Sequence, residues 1–243
     1  HGYFGLIPSE MGDSVFNLCN VSQRAREDLY LLKRYAAVCS HLHTVILVVD
    51  NSNLFDIPMA DEEPFRVTYY QLYMGDHSHC RLSRYGFELA SMNASWEKLK
   101  KYWTSGSIGC DSLGWGTDYR YDLRDKDALD DGHVKPHPFK SHEATATNTA
   151  HVMEIAQWCL QRHVRLILLQ TPLSEAYNHK MSSLQRQYIN ALTDSCRREY
   201  GAVPADFSCD PRFTEEDFFD ADHLNDVGAK RLSKILAEWC RWP

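Results

Sequence analysis

The sequence predicts an α/β fold, a three-layer α/β/α sandwich with a mainly parallel sheet. Two apolar runs of strand length, Val45–Val49 and Val164–Leu169, each stop at a polar loop, as strands buried on both faces do. Stretches of helical spacing alternate with these runs, and that alternation builds a parallel sheet covered on both faces. The 243 residues are 44% hydrophobic, enough for one full core, and no Pro/Gly/Ser-rich linker divides residues 1–243 into separate domains.

The elements follow in order. Val15–Cys19 is a brief apolar stretch expected to be a strand, and Gln23–Val38 is expected to be a helix with Ala25, Leu29, Leu32 and Ala36 on one face. The β-branched run Val45–Val49 gives the next strand and ends at Asp50, Asn51, Ser52 and Asn53. From about Ile57 to Thr147 the alternation breaks: this segment is rich in Tyr, Trp, His and Asp, with one amphipathic stretch around Phe87–Trp103. It is too long for an ordinary loop and is expected to be an insertion packed over the strand ends. Val152, Ile155, Ala156 and Cys159 then mark a helix, Val164–Leu169 a strand stopping before Thr171 and Pro172, and Leu184, Tyr188, Leu192 and Cys196 a further helix. Ala202–Phe207 gives a short strand. Val227, Leu232, Ile235, Leu236 and Trp239 define a terminal helix capped by Asn225 or Asp226. Ligands of parallel sheets sit at the carboxyl ends of the strands, so polar residues there are the first candidates for chemistry.

Composition narrows the function classes. Thirty-three acidic residues against 26 basic give a net charge of −7, which leaves no surplus for neutralising a phosphate backbone, so no nucleic-acid partner is expected. No apolar run reaches the roughly 18 to 20 residues of a membrane span, and the first residues lack the order of a signal peptide. The start at His1 leaves an upstream anchor open, so the compartment is unassigned: cell envelope with such an anchor, cytoplasm without. The eight cysteines, Cys19, Cys39, Cys80, Cys110, Cys159, Cys196, Cys209 and Cys240, form no CxxC pair. Most are expected to be free thiols, with Cys159, Cys196 and Cys240 on apolar helix faces, although an even count keeps disulfides open.

The most informative stretch is Phe218-Phe219-Asp220-Ala221-Asp222-His223-Leu224-Asn225. A serine hydroxyl is a weak nucleophile near neutral pH unless an imidazole takes its proton, and that imidazole needs a carboxylate to fix its tautomer. Asp220, three residues before His223, can place both groups in one catalytic line. Taken alone, the interval reads first as a helix start, with Asp220 and Asp222 capping the helix while His223 lies on the surface.

Order along the chain adds to this. Phe16–Gln23 (FNLCNVSQ), Asn51 or Asn53 after a strand, Leu168–Pro172 followed by Tyr177, and Asp220 with His223 occur in sequence. Together they resemble the SGNH (GDSL-like) hydrolase superfamily. The resemblance covers most of the chain outside the insertion. It is strongest to the poorly characterised SGNH-like proteins encoded with cell-surface polysaccharide genes, whose ends read much like DFFDADHLNDVGAKRLS. It implies a flavodoxin-like sheet with the long insertion after the third strand, and a serine esterase or O-acyltransferase acting on an acylated carbohydrate. On that resemblance His223 is general base and then acid, Asp220 orients it, and the oxyanion is held by the backbone of Ser22, where Gly is usual, and by Asn53 or Asn51. In that subgroup a Gly-Ser-Ser-His-like turn precedes a segment resembling Gly2–Pro8, which would put the catalytic serine directly before His1 and His1 beside the substrate. The rival nucleophile within the sequence is Ser14 of Gly12-Asp13-Ser14, although no buried strand leads into it and an ordinary turn serine is the other reading.

The insertion holds further candidates. His133, His137 and His142 lie in a Pro- and Asp-containing loop, and His142 is taken as a substrate contact. Asp76-His77-Ser78-His79-Cys80 contains zinc-type ligands, but alternate residues of a strand point apart and no fourth ligand can be named, so a solvated polar loop is the expectation. Tyr69, Tyr70, Tyr73, Trp103 and Trp115 either stack on sugar rings or pack the core. Neither a metal nor an organic cofactor is expected. The alternative from a different class is a non-catalytic carbohydrate-binding or polysaccharide-assembly domain that keeps the fold without a nucleophile; a metal-dependent hydrolase built on the histidine-rich insertion is third.

Overall fold

The computed structural model describes residues 1–78, 92–106, 109–124 and 127–240. Three strands, β1 (Thr44–Val48), β2 (Arg165–Gln170) and β3 (Val203–Asp206), form an all-parallel sheet in the order β1-β2-β3. Thr44 lies opposite Arg165, and Gln170 lies opposite Asp206, so all three strands run out at one carboxyl edge. Helices α1 (Gly2–Gly5) and α2 (Ala25–Ala36) precede β1. Between β1 and β2 come α3 (Asn51–Phe55), α4 (Met59–Glu62), α5 (Pro64–Met74), α6 (Met92–Ser105) and α7 (His142–Gln161). Helices α8 (Glu175–Lys180) and α9 (Ser183–Tyr200) link β2 to β3, and α10 (Asp226–Cys240) follows.

Strand side chains alternate between faces, and the two sets meet different helices. Leu47, Val49, Leu166 and Leu168 share a core with Leu29 of α2, Val152, Ile155 and Cys159 of α7, and Ile189, Leu192 and Cys196 of α9. Val48, Ile167, Leu169 and Ala205 share the other with Leu6, Ile7, and Leu232 and Leu236 of α10. Helices therefore cover both faces. Complete burial of Ile167, Leu168 and Leu169 contributes about 1.5 to 3 kcal/mol per side chain. Asn225 is the cap of α10: its Oδ1 accepts from the N–H groups of Val227 and Gly228, and its Nδ2 donates to the carbonyls of Glu216 and Phe218. A Cβ at Gly228 would lie 2.2 Å from the Asp217 carbonyl oxygen, so the first turn of α10 meets the preceding loop through a residue without a side chain.

Several elements differ from expectation. Val15–Cys19 is not a strand: Phe16 and Leu18 are exposed, and the segment is held by Asn17, whose Nδ2 donates to the carbonyls of Gly2 and Leu6. Among the described residues β1 is thus the first strand, and the inserted segment follows it rather than a third strand. That segment ends where α7 begins at His142, before Thr147, and includes helix α5, which has no clear sequence signal. The 87–91 part of the expected amphipathic stretch lies outside the described residues; α6 carries the remainder. On α9, Leu184 and Tyr188 are exposed, and the buried face is Gln185, Ile189, Leu192, Thr193 and Cys196. Cys19, Cys39, Cys110, Cys159, Cys196 and Cys209 are free thiols. Among the described residues no helix is long and apolar enough to cross a membrane.

Candidate active site

The loop before α10 is a tight, pinned turn. Phe218 and Leu224 form an antiparallel bridge, the N–H of Phe219 donates to the carbonyl of His223 (2.8 Å), and the N–H of Asn225 donates to the carbonyl of Asp217. This closes residues 219–223 on themselves. Asp220 Oδ1 accepts the backbone N–H of His223 (2.8 Å) and faces its ring Nδ1 (2.9 Å), with Oδ2 at 3.2 Å. Since a carboxylate only accepts, Nδ1 carries a proton and Nε2 is the ring's outward nitrogen, a tautomer set by these partners. The interval of three residues expected from sequence does bring Asp220 and His223 together.

Three aromatic groups fix the ring. His1 stacks on it at 4.5 Å and 10°, while Phe4 and Tyr119 approach it edge-on. Tyr119 is itself stacked between Phe4 and Phe219. His1 is oriented in turn by Nδ1, which donates to the carbonyl of Asp222 (2.6 Å), and its Nε2 faces Asp50 Oδ2 (3.5 Å) and Asp222 Oδ2 (3.7 Å). Asp50 directly follows Val49 at the end of β1 and caps α3 by accepting from the N–H of Asn53. The stack therefore sits at the carboxyl edge of the sheet.

Asp222 is the hub of the charges. Its Oδ1 lies 3.3 Å from His223 Nδ1, and its Oδ2 lies 3.3 Å from His137 Nε2. Burial works against its ionised form, yet the hydrogen bonds from His137 and His223 hold it well below the usual carboxylate range. His137 is raised by its hydrogen bond to Asp222 against the effect of burial. Burial likewise disfavours a charged His223, but the hydrogen bonds to Asp220 and Asp222 outweigh it and lift the imidazole to about 9. A half-buried imidazolium can deliver a proton readily; to take one it must first ionise, so proton uptake by this ring belongs to the alkaline side of neutrality.

The other expected site residues divide. Asn51 lines a small cavity beside His1 and donates from Nδ2 to Tyr177 Oη (3.5 Å), with Oδ1 buried and unpartnered. Asn53 turns back into the fold, donating from Nδ2 to the Val48 carbonyl (2.9 Å) and Asp28 Oδ2 (3.4 Å), so its amide is already engaged. Ser22 has φ +60°, a left-handed backbone that glycine adopts more readily than a residue with a side chain. Its carbonyl accepts from Arg24 and its hydroxyl bonds Glu63, and none of its contacts is with His223. Ser14 lies on an exposed turn; no hydrogen bond or ring contact joins it to the dyad. His142 is exposed at the start of α7, packed on Phe139. The insertion histidine that reaches the site is instead His137.

Two more expectations resolve here. Of the Asp76–Cys80 stretch, His77 and Ser78 are exposed, as a solvated loop requires, whereas Asp76 is buried and accepts two hydrogen bonds of 2.8 Å from Arg26; His79 and Cys80 lie outside the described residues. His1, Asp222 and His223 offer donor atoms within 4.8 Å of one another. A ring nitrogen binds a metal along its in-plane lone pair, however, and two imidazoles stacked nearly parallel cannot both aim at one ion about 2 Å away.

Sequence reasoning missed Asp50, Asp222 and the aromatic cage of Phe4 and Tyr119. Asp222 was within sight, as the second carboxylate beside His223, and Asp50 as the first polar residue after a strand. No family model matches the chain, and neither a curated protein nor a solved structure is significantly similar to it.

Proposed function

We propose that the chain is an SGNH-like domain whose His223–Asp220 pair serves serine esterase or O-acyltransferase chemistry on an acylated carbohydrate or similar ester. The observation that carries this reading is the dyad itself: Nδ1 held on a carboxylate, the ring clamped by His1 at the carboxyl edge of a parallel sheet, and Nε2 left to exchange a proton. Serine Oγ attacks the ester carbonyl carbon while His223 Nε2 takes the hydroxyl proton. The C–O bond to the alcohol then breaks, and the same proton passes to the departing oxygen. Water or a second hydroxyl repeats the cycle on the acyl-serine and releases the acid or the new ester. A positioned base and acid of this kind contributes about 10² to 10⁴ in rate. Asn51, beside His1, is the better oriented of the two asparagines to help hold the oxyanion.

The reading places the acyl-carrying serine on the amino side of His1, the residue stacked against the base, in preference to the exposed Ser14. Among the described residues no hydroxyl or thiol hydrogen-bonds to His223 Nε2. That favours a second reading, a carbohydrate-binding domain that keeps the fold without a nucleophile. A serine-reactive fluorophosphonate probe separates the two. The enzyme is labelled at one serine, and His223→Ala abolishes the labelling without unfolding the domain. A full-length protein that is folded and stays unlabelled overturns the enzyme reading and leaves the binding domain, and labelling at the parent rate in His223→Ala overturns the dyad.

A further inference from the structure

Two spaces meet at Tyr177, and they differ in size and chemistry. On the side of His1 lies a small, partly open cavity of about 20 Å³, lined by Val49, Leu173, Met181 and Ile189 and carrying Asn51 and Thr171. It has room for about one water-sized group. Asn51 Oδ1 and Thr171 Oγ1 are buried there without partners, so its natural occupant is a water or a hydroxyl. An alkyl chain would leave both atoms unpaired, at about 1 to 3 kcal/mol each.

On the other side of Tyr177 lies an open groove of about 380 Å³ between the insertion and the catalytic loop, lined by His133, Lys135, Asp127, Asp220 and Asp222. Its walls are preassembled. Val134, Tyr177 and Ala221 pack together beneath it; the N–H of His137 donates to Tyr177 Oη, its carbonyl accepts from Gln185 Nε2, and its ring pairs with Asp222. Carboxylates that accept face a lysine and an imidazole that donate, which is the complement of a molecule bearing several hydroxyls. Methylenes in the same groove would desolvate charged groups with nothing in return.

We propose that this groove binds the polyhydroxylated alcohol portion of the ester, with His133 and Lys135 as its specificity-determining donors. The proposal rests on the esterase reading for the word ester; the groove as a polyol site stands on its own geometry.

The test has a binding arm and a turnover arm. Methyl glucopyranoside is titrated into the protein and into its His223→Ala variant, with amide NMR as the readout. Shifts centred on Val134, Lys135 and Ala221 are expected in both, weakened about tenfold by the exposed double substitution His133→Ala, Lys135→Ala, the loss of one or two hydrogen bonds to a charged donor. In the turnover arm that double variant lowers kcat/KM for a methyl O-acetylglucoside about tenfold more than for para-nitrophenyl acetate, acting through KM. Absence of sugar-dependent shifts in the groove overturns the site. A double variant that lowers kcat/KM for both esters equally overturns His133 and Lys135 as specificity-determining donors. Groove shifts without turnover of any ester retain the polyol site and remove the esterase reading.

Discussion

Replacing His223 by Gln tests the charge state of the site with little change in side-chain volume. The ring is 23% exposed and lies 2.9 Å from Asp220 and 3.3 Å from Asp222. Burial opposes its charge, yet those carboxylates raise its pKa from 6.5 to about 9. A group that holds its proton more tightly when folded adds stability that is complete below its unfolded pKa, near 6.5, and is lost as pH rises through about 9. At 1.36 kcal/mol per pH unit the rise amounts to about 3 kcal/mol, and solvent screening of the exposed quarter of the ring brings it nearer to about 2 kcal/mol. Urea unfolding from about pH 6 to about pH 10 is the assay. Wild type should lose about 2 to 3 kcal/mol more than His223→Gln over that interval, and the ring protons of His223 should titrate near 9 by NMR. Parallel stability curves for the two proteins would show that the carboxylates do not hold the ring charged, and the electrostatic account of the dyad would fail. The kinetic counterpart has the same sign: kcat/KM for an ester rises with pH towards about 9 as the base form accumulates.

Asp220→Asn removes the group that fixes Nδ1–H, and ester turnover should drop by about 10² to 10⁴ while far-UV circular dichroism stays unchanged; activity within twofold of wild type would refute the orienting role. Asp222→Asn takes a negative charge from between His137 and His223, so both imidazoles should titrate at lower pH in NMR, and two unmoved curves would contradict the hub. Gly228→Ala would press a methyl group to 2.2 Å from the Asp217 carbonyl oxygen; a loss of about 1 to 3 kcal/mol is expected from the urea midpoint, and an unshifted midpoint would mean the turn before α10 is not tightly seated.

Much of the scaffold was legible because burial on both faces imposes an unbroken apolar run, as in β1 and β2, and because α2, α7 and α10 carry the 3.6-residue period of helices packed on a sheet. Where sequence reading failed, a local pattern was decided by distant partners. The apolar Val15–Cys19 run satisfies the composition of a strand but has no ladder neighbour; Asn17 instead ties it to Gly2 and Leu6. Asn51 and Asn53 sit on the same polar turn, and only the cap formed by Asp50 decides that one faces the cavity beside His1 while the other bonds back to Val48. The placement of His142 has a local signal: Ser141 is a good helix cap, and its side chain accepts from Ala144, which commits His142 to an exposed first turn.

The Asp220–His223 interval could be read from sequence because it is closed within three residues. The stack that makes the interval useful could not. His1 and Asp222 are 221 positions apart, and nothing in the periodicity of either segment refers to the other; they meet because α1 packs against α10 and because β1 delivers Asp50 to the same edge. The His1 contacts thus couple the end of β1 to the loop before α10 through one imidazole. Loss of that ring should therefore loosen His223 without breaking the Asp220 bond: in His1→Ala, the NMR resonances of the His223 ring should broaden or shift while its pKa stays well above 6.5, since both carboxylates remain. A fall of that pKa to about 6.5 in His1→Ala would mean that stacking, and not the two carboxylates, sustains the charge, and the dyad would have to be rebuilt around His1.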